Sequence, residues 1–110
     1  MVKQYKVLIS TNAQDSLDQI VEYVTEASSY DAALHLERKL LEAIQSLKTF
    51  PNGCGRLKVE RKKSANPYRF LPKENYKIIY TVEEEPTAIV IVIMLIHDSR
   101  ATATVEDLLP

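Results

Sequence analysis

In the C-terminal third of this chain, Arg69 stands between Tyr68 and Phe70, Lys77 stands between Tyr76 and Ile78, and His97 directly follows an apolar run. Side chains alternate across a strand, so each cation points away from its two neighbours. With a turn at Lys73-Glu74-Asn75 between the two strands, Arg69 and Lys77 are expected on one sheet face. Two cations placed so can clamp a scissile phosphate, pair with the acids of a protein partner, or stand in solvent. His97 sits where the chain leaves the sheet. That position suits a general acid or base near neutral pH, and equally a structural histidine bonding a strand end. Arg100 closes the same His97-Asp98-Ser99-Arg100 ending.

A second cationic group, Arg56, Lys58, Arg61, Lys62 and Lys63, faces the single acid Glu60. It reads as a solvated loop or as a surface that steers an anionic partner. The whole chain has a formal net charge of −1, without the basic excess of proteins that draw their affinity from phosphate contacts. No phosphate loop, zinc spacing, nucleotide fingerprint or nucleophile elbow is present, so neither a cofactor nor a metal is expected. Cys54, the one cysteine, lies between Gly53 and Gly55 as a loop thiol and has no internal disulfide partner. His35 falls one residue off a helical apolar stripe, at its boundary. This cysteine usage fits a reducing, cytoplasmic setting. The N-terminus has no apolar signal region, and the apolar run at 88–96 is far short of the ~20 residues of a membrane helix.

The elements that position these residues follow from periodicity. Residues 4–10 read as a strand with Tyr5, Val7 and Ile9 on one face. Thr11 is expected to cap the first helix, with Gln14 completing a capping box. Leu17, Ile20, Val21, Val24 and Ala27 then recur at helical spacing, and Ser28-Ser29 ends the run. Ser29 or Asp31 caps a second helix with an apolar face of Ala33, Leu36, Leu40, Ile44 and Leu47, widened by Leu41 and Ala43. Pro51 stops it near Lys48 or Thr49. The short connection makes the helices an antiparallel hairpin. Asn52-Gly53-Cys54-Gly55 is a turn. Strands are expected at 67–72, 76–82 and 88–96, with Pro72 ending an edge strand and Glu83-Glu84-Glu85-Pro86 forming a hairpin turn. The last strand is apolar on both faces and so belongs in the sheet interior. The order βααβββ gives an α+β fold: one domain over residues 1–110, its N-terminal strand and helical hairpin packed on an antiparallel meander, with a tail from residue 101.

Several landmarks recur together in one family. They are Tyr5-Lys6-Val7, Ala13 with Leu17, Ile20 and Tyr23, and Ala43-Ile44 with Leu47 running into Phe50-Pro51. Gly55-Arg56, Tyr68-Arg69, Tyr76-Lys77-Ile78-Ile79-Tyr80 and Ile96-His97-Asp98-Ser99-Arg100 complete the set. In this order, over about residues 4–100, the chain resembles the RelE/ParE superfamily of type II toxins. The resemblance implies a toxin neutralised by a cognate antitoxin whose C-terminal segment wraps it. It also implies one of two activities: ribosome-dependent mRNA cleavage, as in the RelE branch, or binding and poisoning of DNA gyrase, as in the ParE branch.

For a ribonuclease, the resemblance assigns Arg69, Lys77 and Arg100 to phosphate and His97 to proton transfer. That set is incomplete here. Leu71 stands where a second basic residue is expected, Lys77 replaces an arginine and loses its planar fork, and Val105 or a neighbour stands where RelE has a late tyrosine. The His-Asp-Ser-Arg ending and the near-neutral charge are closer to ParE, which implies a binding protein rather than an enzyme. A toxin-fold module without toxicity is the third reading. In the leading one, Arg56, Lys58, Arg61, Lys62, Lys63, Arg69 and Lys77 meet partner acids, and a groove between the helical hairpin and the sheet receives the antitoxin.

Overall fold

The computed structural model describes residues 3–53 and 68–99. Its elements are β1 (Lys6–Ile9), α1 (Thr11–Ala27), α2 (Tyr30–Ser46), a 3-10 turn at Pro51–Gly53, β2 (Arg69–Lys73), β3 (Tyr76–Glu83) and β4 (Ile89–His97). The expected βααβββ order holds. The strands form one sheet in the order β1-β4-β3-β2. β2, β3 and β4 make the antiparallel meander, and β1 joins it parallel to β4. β4 is interior, as its two apolar faces require, and β2 with Pro72 is an edge.

In β1, Val7 and Ile9 pack towards the helices, while Lys6 and Leu8 are exposed. The helix cap lies one residue earlier than the sequence suggests. Ser10, in extended geometry, is the N-cap, and Thr11 is already helical. The Ser10 hydroxyl accepts from the Ala13 amide at 3.0 Å and donates to the Ile93 carbonyl at 3.0 Å. One side chain thus satisfies an orphan amide of α1 and fixes the helix start against β4. Gln14 completes no capping box; its side-chain amide donates to Asp18 at 3.0 Å. Ser29 caps α2 through the Ala32 amide, one of the two expected caps. α2 ends at Ser46 and tightens into i→i−3 bonds at Leu47 and Lys48, before Pro51.

Ile93 is a β-bulge. Ile79 pairs with Met94 and Tyr80 with Val92, leaving Ile93 as the extra residue. The bulge switches the parity of β4. Val90 and Val92 before it, and Leu95 after it, all face the helices with Leu17, Leu40 and Ile44. Ile93, Met94 and Ile96 join Ile79, Phe70 and Tyr68 in a second apolar cluster on the other face. Tyr80 is fully buried, and its hydroxyl donates to the Pro51 carbonyl at 2.5 Å, tying the sheet to the end of the helical hairpin.

Candidate functional site: the cationic strand positions and the α1 cleft

The β2–β3 turn decides where the cations point. It is two residues long, Glu74-Asn75, with φ of 51° and 69°, the left-handed pair that a tight hairpin turn demands. Lys73 therefore pairs with Tyr76, Pro72 with Lys77 and Arg69 with Tyr80. Paired residues share a face. Arg69 thus lies on the face of Leu71, Ile78 and Tyr80, towards the helices, whereas Lys77 lies on the face of Phe70 and Ile79. The expectation of one shared face is corrected. A three-residue turn would have matched Lys77 with Leu71 and put both cations on one side; removing one turn residue reverses the parity.

Lys77 is also engaged. Its ammonium lies 5.4 Å from the centroid of the Phe70 ring and 3.6 Å from an Asp98 carboxylate oxygen. Both contacts attract the cation and hold it at its own end of the sheet. His97 pairs with Tyr76, on the helix side, where the two rings meet edge to face at 5.3 Å. Its Nδ1 accepts from the Ser99 amide at 3.1 Å, with the Ser99 hydroxyl at 2.8 Å. Accepting an amide proton leaves Nδ1 bare, so the neutral ring carries its proton on Nε2. Arg69 and Lys77 are therefore parted by the sheet, and His97 lies across it from Lys77. Arg56, Lys58, Arg61, Lys62, Lys63 and Arg100 lie outside the described residues, as does the expected turn beyond Gly53.

His97 belongs instead to a cleft of about 790 Å³ between α1 and the ends of β3 and β4. Asn12, Asp15, Ser16, Gln19 and Tyr23 form its wall on α1, Tyr76 and His97 its rim on the sheet, and Ile20, Met94, Leu95 and Ile96 supply apolar surface. The α1 residues recur at three- and four-residue intervals and so make one polar stripe beside the apolar one. Tyr23 is 67% exposed. Burial, and then the nearby Tyr23, push the Tyr76 hydroxyl above its ordinary pKa, so it keeps its proton. The sequence points to a groove between the helical hairpin and the sheet but assigns it cations, not the α1 side chains that line this cleft. The signal was the stripe itself, on a helix with Asp15, Asp18, Glu22 and Glu26 and no Lys or Arg.

The far end of β3 is built differently. Beyond it, Glu84 accepts from the Lys3 ammonium at 2.9 Å, the Tyr5 hydroxyl at 2.8 Å and the Asn52 amide at 3.1 Å. Those hydrogen bonds, from Lys3 first, lower its pKa from an ordinary 4.5 to about 2. Among the described residues no group of His, Cys, Asp and Glu could hold a metal, and no helix is long and apolar enough to cross a membrane.

With this geometry in hand, comparison with known proteins is informative. A family model, ParE toxin of the type II toxin–antitoxin system parDE, matches residues 7–102. No curated protein matches the chain. Among solved structures, it is similar to the chromosomal ParDE toxin–antitoxin system from P. aeruginosa, at 15% identity and a TM-score of 0.71, over 86% of this chain and 97% of that one. It is also similar to the RelBE2 toxin–antitoxin complex from Mycobacterium tuberculosis, at 19% identity and a TM-score of 0.59, over 91% of this chain and 97% of that one. At these identities the two structures speak for the fold alone.

Proposed function

We propose that this chain, which belongs to the ParE toxin family of type II toxin–antitoxin systems, acts by binding a protein target, DNA gyrase, and is neutralised by a cognate antitoxin. The observation that carries this reading is the two-residue turn at Glu74-Asn75. It sends Arg69 and Lys77 to opposite faces of the sheet, so the two do not converge on one phosphate. Phosphoryl chemistry without a metal depends on cations gathered where charge develops. Lys77 is drawn to Asp98 and Phe70 instead.

A binding protein needs neither cofactor nor metal and works in the cytoplasm, where its target resides. The basic run from Arg56 to Lys63 then serves encounter with a partner's acids, because rim charges act more on association than on residence. The rival activity is mRNA cleavage on the ribosome, with Arg69, Lys77 and Arg100 on phosphate and His97 moving protons. The deciding experiment expresses the toxin alone and assays gyrase supercoiling and translation separately. Loss of supercoiling with intact messenger supports gyrase. Cleaved messenger supports the rival, and neither effect supports a binding module without toxicity.

A further inference from the structure

Antitoxin binding leaves open which chemistry the α1 cleft recognises. Its walls carry one acidic side chain, Asp15, which has no ion pair or side-chain hydrogen bond among the described residues. Asn12 and Gln19 add carbonyl acceptors from the same helix. Asp15, Glu22 and Glu26 recur at seven and four residues, so they follow one line of α1 that begins at the cleft with Asp15. The 17-residue helix offers these carboxylates no cation of its own. Tyr23 and Tyr76 present aromatic rings, and Ile20 and Leu95 apolar surface, to the same cleft.

From this complementarity, and resting on the antitoxin reading above, we infer that the cleft receives a basic amphipathic segment of the antitoxin, with one arginine side chain meeting Asp15 between Asn12 and Gln19 and the segment's apolar side chains lying against Tyr23, Tyr76, Ile20 and Leu95. A guanidinium fits this set better than an ammonium. It is planar and brings five donors in a fixed fork to a carboxylate and the neighbouring side-chain carbonyls. The apolar surface favours a peptide over a free polyamine, because it takes up the apolar side chains flanking the arginine.

The test uses the full chain and the product of the neighbouring reading frame, titrated by calorimetry. Asp15→Asn should weaken binding at least about tenfold, the size of one charge-assisted hydrogen bond lost. Its thermal unfolding should stay that of the parent. Asp18→Asn, turned away from the cleft, should change affinity less than about twofold. One Arg→Gln substitution in the antitoxin should reproduce the loss and be non-additive with Asp15→Asn in a double-mutant cycle. If the antitoxin binds the parent and Asp15→Asn alike, or no antitoxin arginine couples to Asp15, the arginine inference fails while the antitoxin reading stands. If the neighbouring product does not bind the parent at all, the antitoxin reading itself falls.

Discussion

The two ends of the β3–β4 pair are built to opposite plans. At the Glu84 end the polar side chains are tied together: Lys3, Tyr5 and Asn52 converge on one carboxylate, while the nearby Tyr80 hydroxyl reaches Pro51. At the Tyr76–His97 end the sheet opens into a cleft, with Asp15 unpaired among the described residues and Tyr23 exposed. Satisfied polar networks rigidify, whereas unpaired polar and aromatic groups on a concave surface await a partner. Substitutions at the first end should therefore change stability, and substitutions at the second should change binding.

The largest effect is expected at the tied end, in the core. Tyr80→Ala should cost about 3–5 kcal/mol of unfolding free energy by leaving a cavity, and Tyr80→Phe about 1–3 kcal/mol by leaving the Pro51 carbonyl unpaired. Urea denaturation measures both, and a loss below about 0.5 kcal/mol for each would break the contrast. Next comes Asp15→Asn at the open end, with its tenfold loss of antitoxin affinity and unchanged stability.

Acid titration sharpens the comparison further. The folded pKa of Glu84, about 2, lies below its ordinary 4.5. Its contribution to stability is therefore whole above pH 4.5 and is lost as pH falls from 4.5 towards 2. The melting temperature of the parent should fall across that window more steeply than that of Glu84→Gln. Parallel curves would show that the clasp does not form. The same clasp raises the pKa of Lys3 and of Tyr5, each chiefly through its hydrogen bond with Glu84. It should loosen again as pH rises past their ordinary values of 10.5 and 10.0. The smallest effect is expected for Lys77→Ala, within about 1 kcal/mol of stability, since a partly exposed ion pair contributes little. Its toxicity on expression should be that of the parent; abolished toxicity would restore Lys77 to a functional role.

What the sequence made legible was set by period. Helical spacing located α1 and α2, and the doubly apolar run identified β4 as interior. The three strand boundaries in the C-terminal half fell within two residues, at Arg69–Lys73, Tyr76–Glu83 and Ile89–His97. The errors came where one residue decides. Ser10 and Thr11 are both good caps, and only the hydrogen bond from Ser10 to the bulged Ile93 chooses between them. The turn at Glu74-Asn75 puts a glutamate at φ 51°, a conformation its side chain does not advertise, so the sequence suggests three turn residues where there are two and turns Lys77 to the wrong face. The cleft needed the bulge as well. By switching parity at Ile93 it brings Leu95 and His97 to the helix side, which no local pattern foretold. The polar stripe of α1 was readable throughout, but a solvated helix face has the same pattern.

The most direct test of the central claim, that this toxin binds rather than cuts, sets purified protein against two targets in parallel. One reaction contains DNA gyrase and relaxed plasmid, the other ribosomes translating a defined messenger. The account predicts that supercoiling is inhibited, that the inhibition is relieved by the antitoxin, and that the messenger stays intact, with Arg69→Ala without effect on its integrity. Codon-dependent cleavage of the messenger, abolished by Arg69→Ala, with supercoiling untouched, would contradict it.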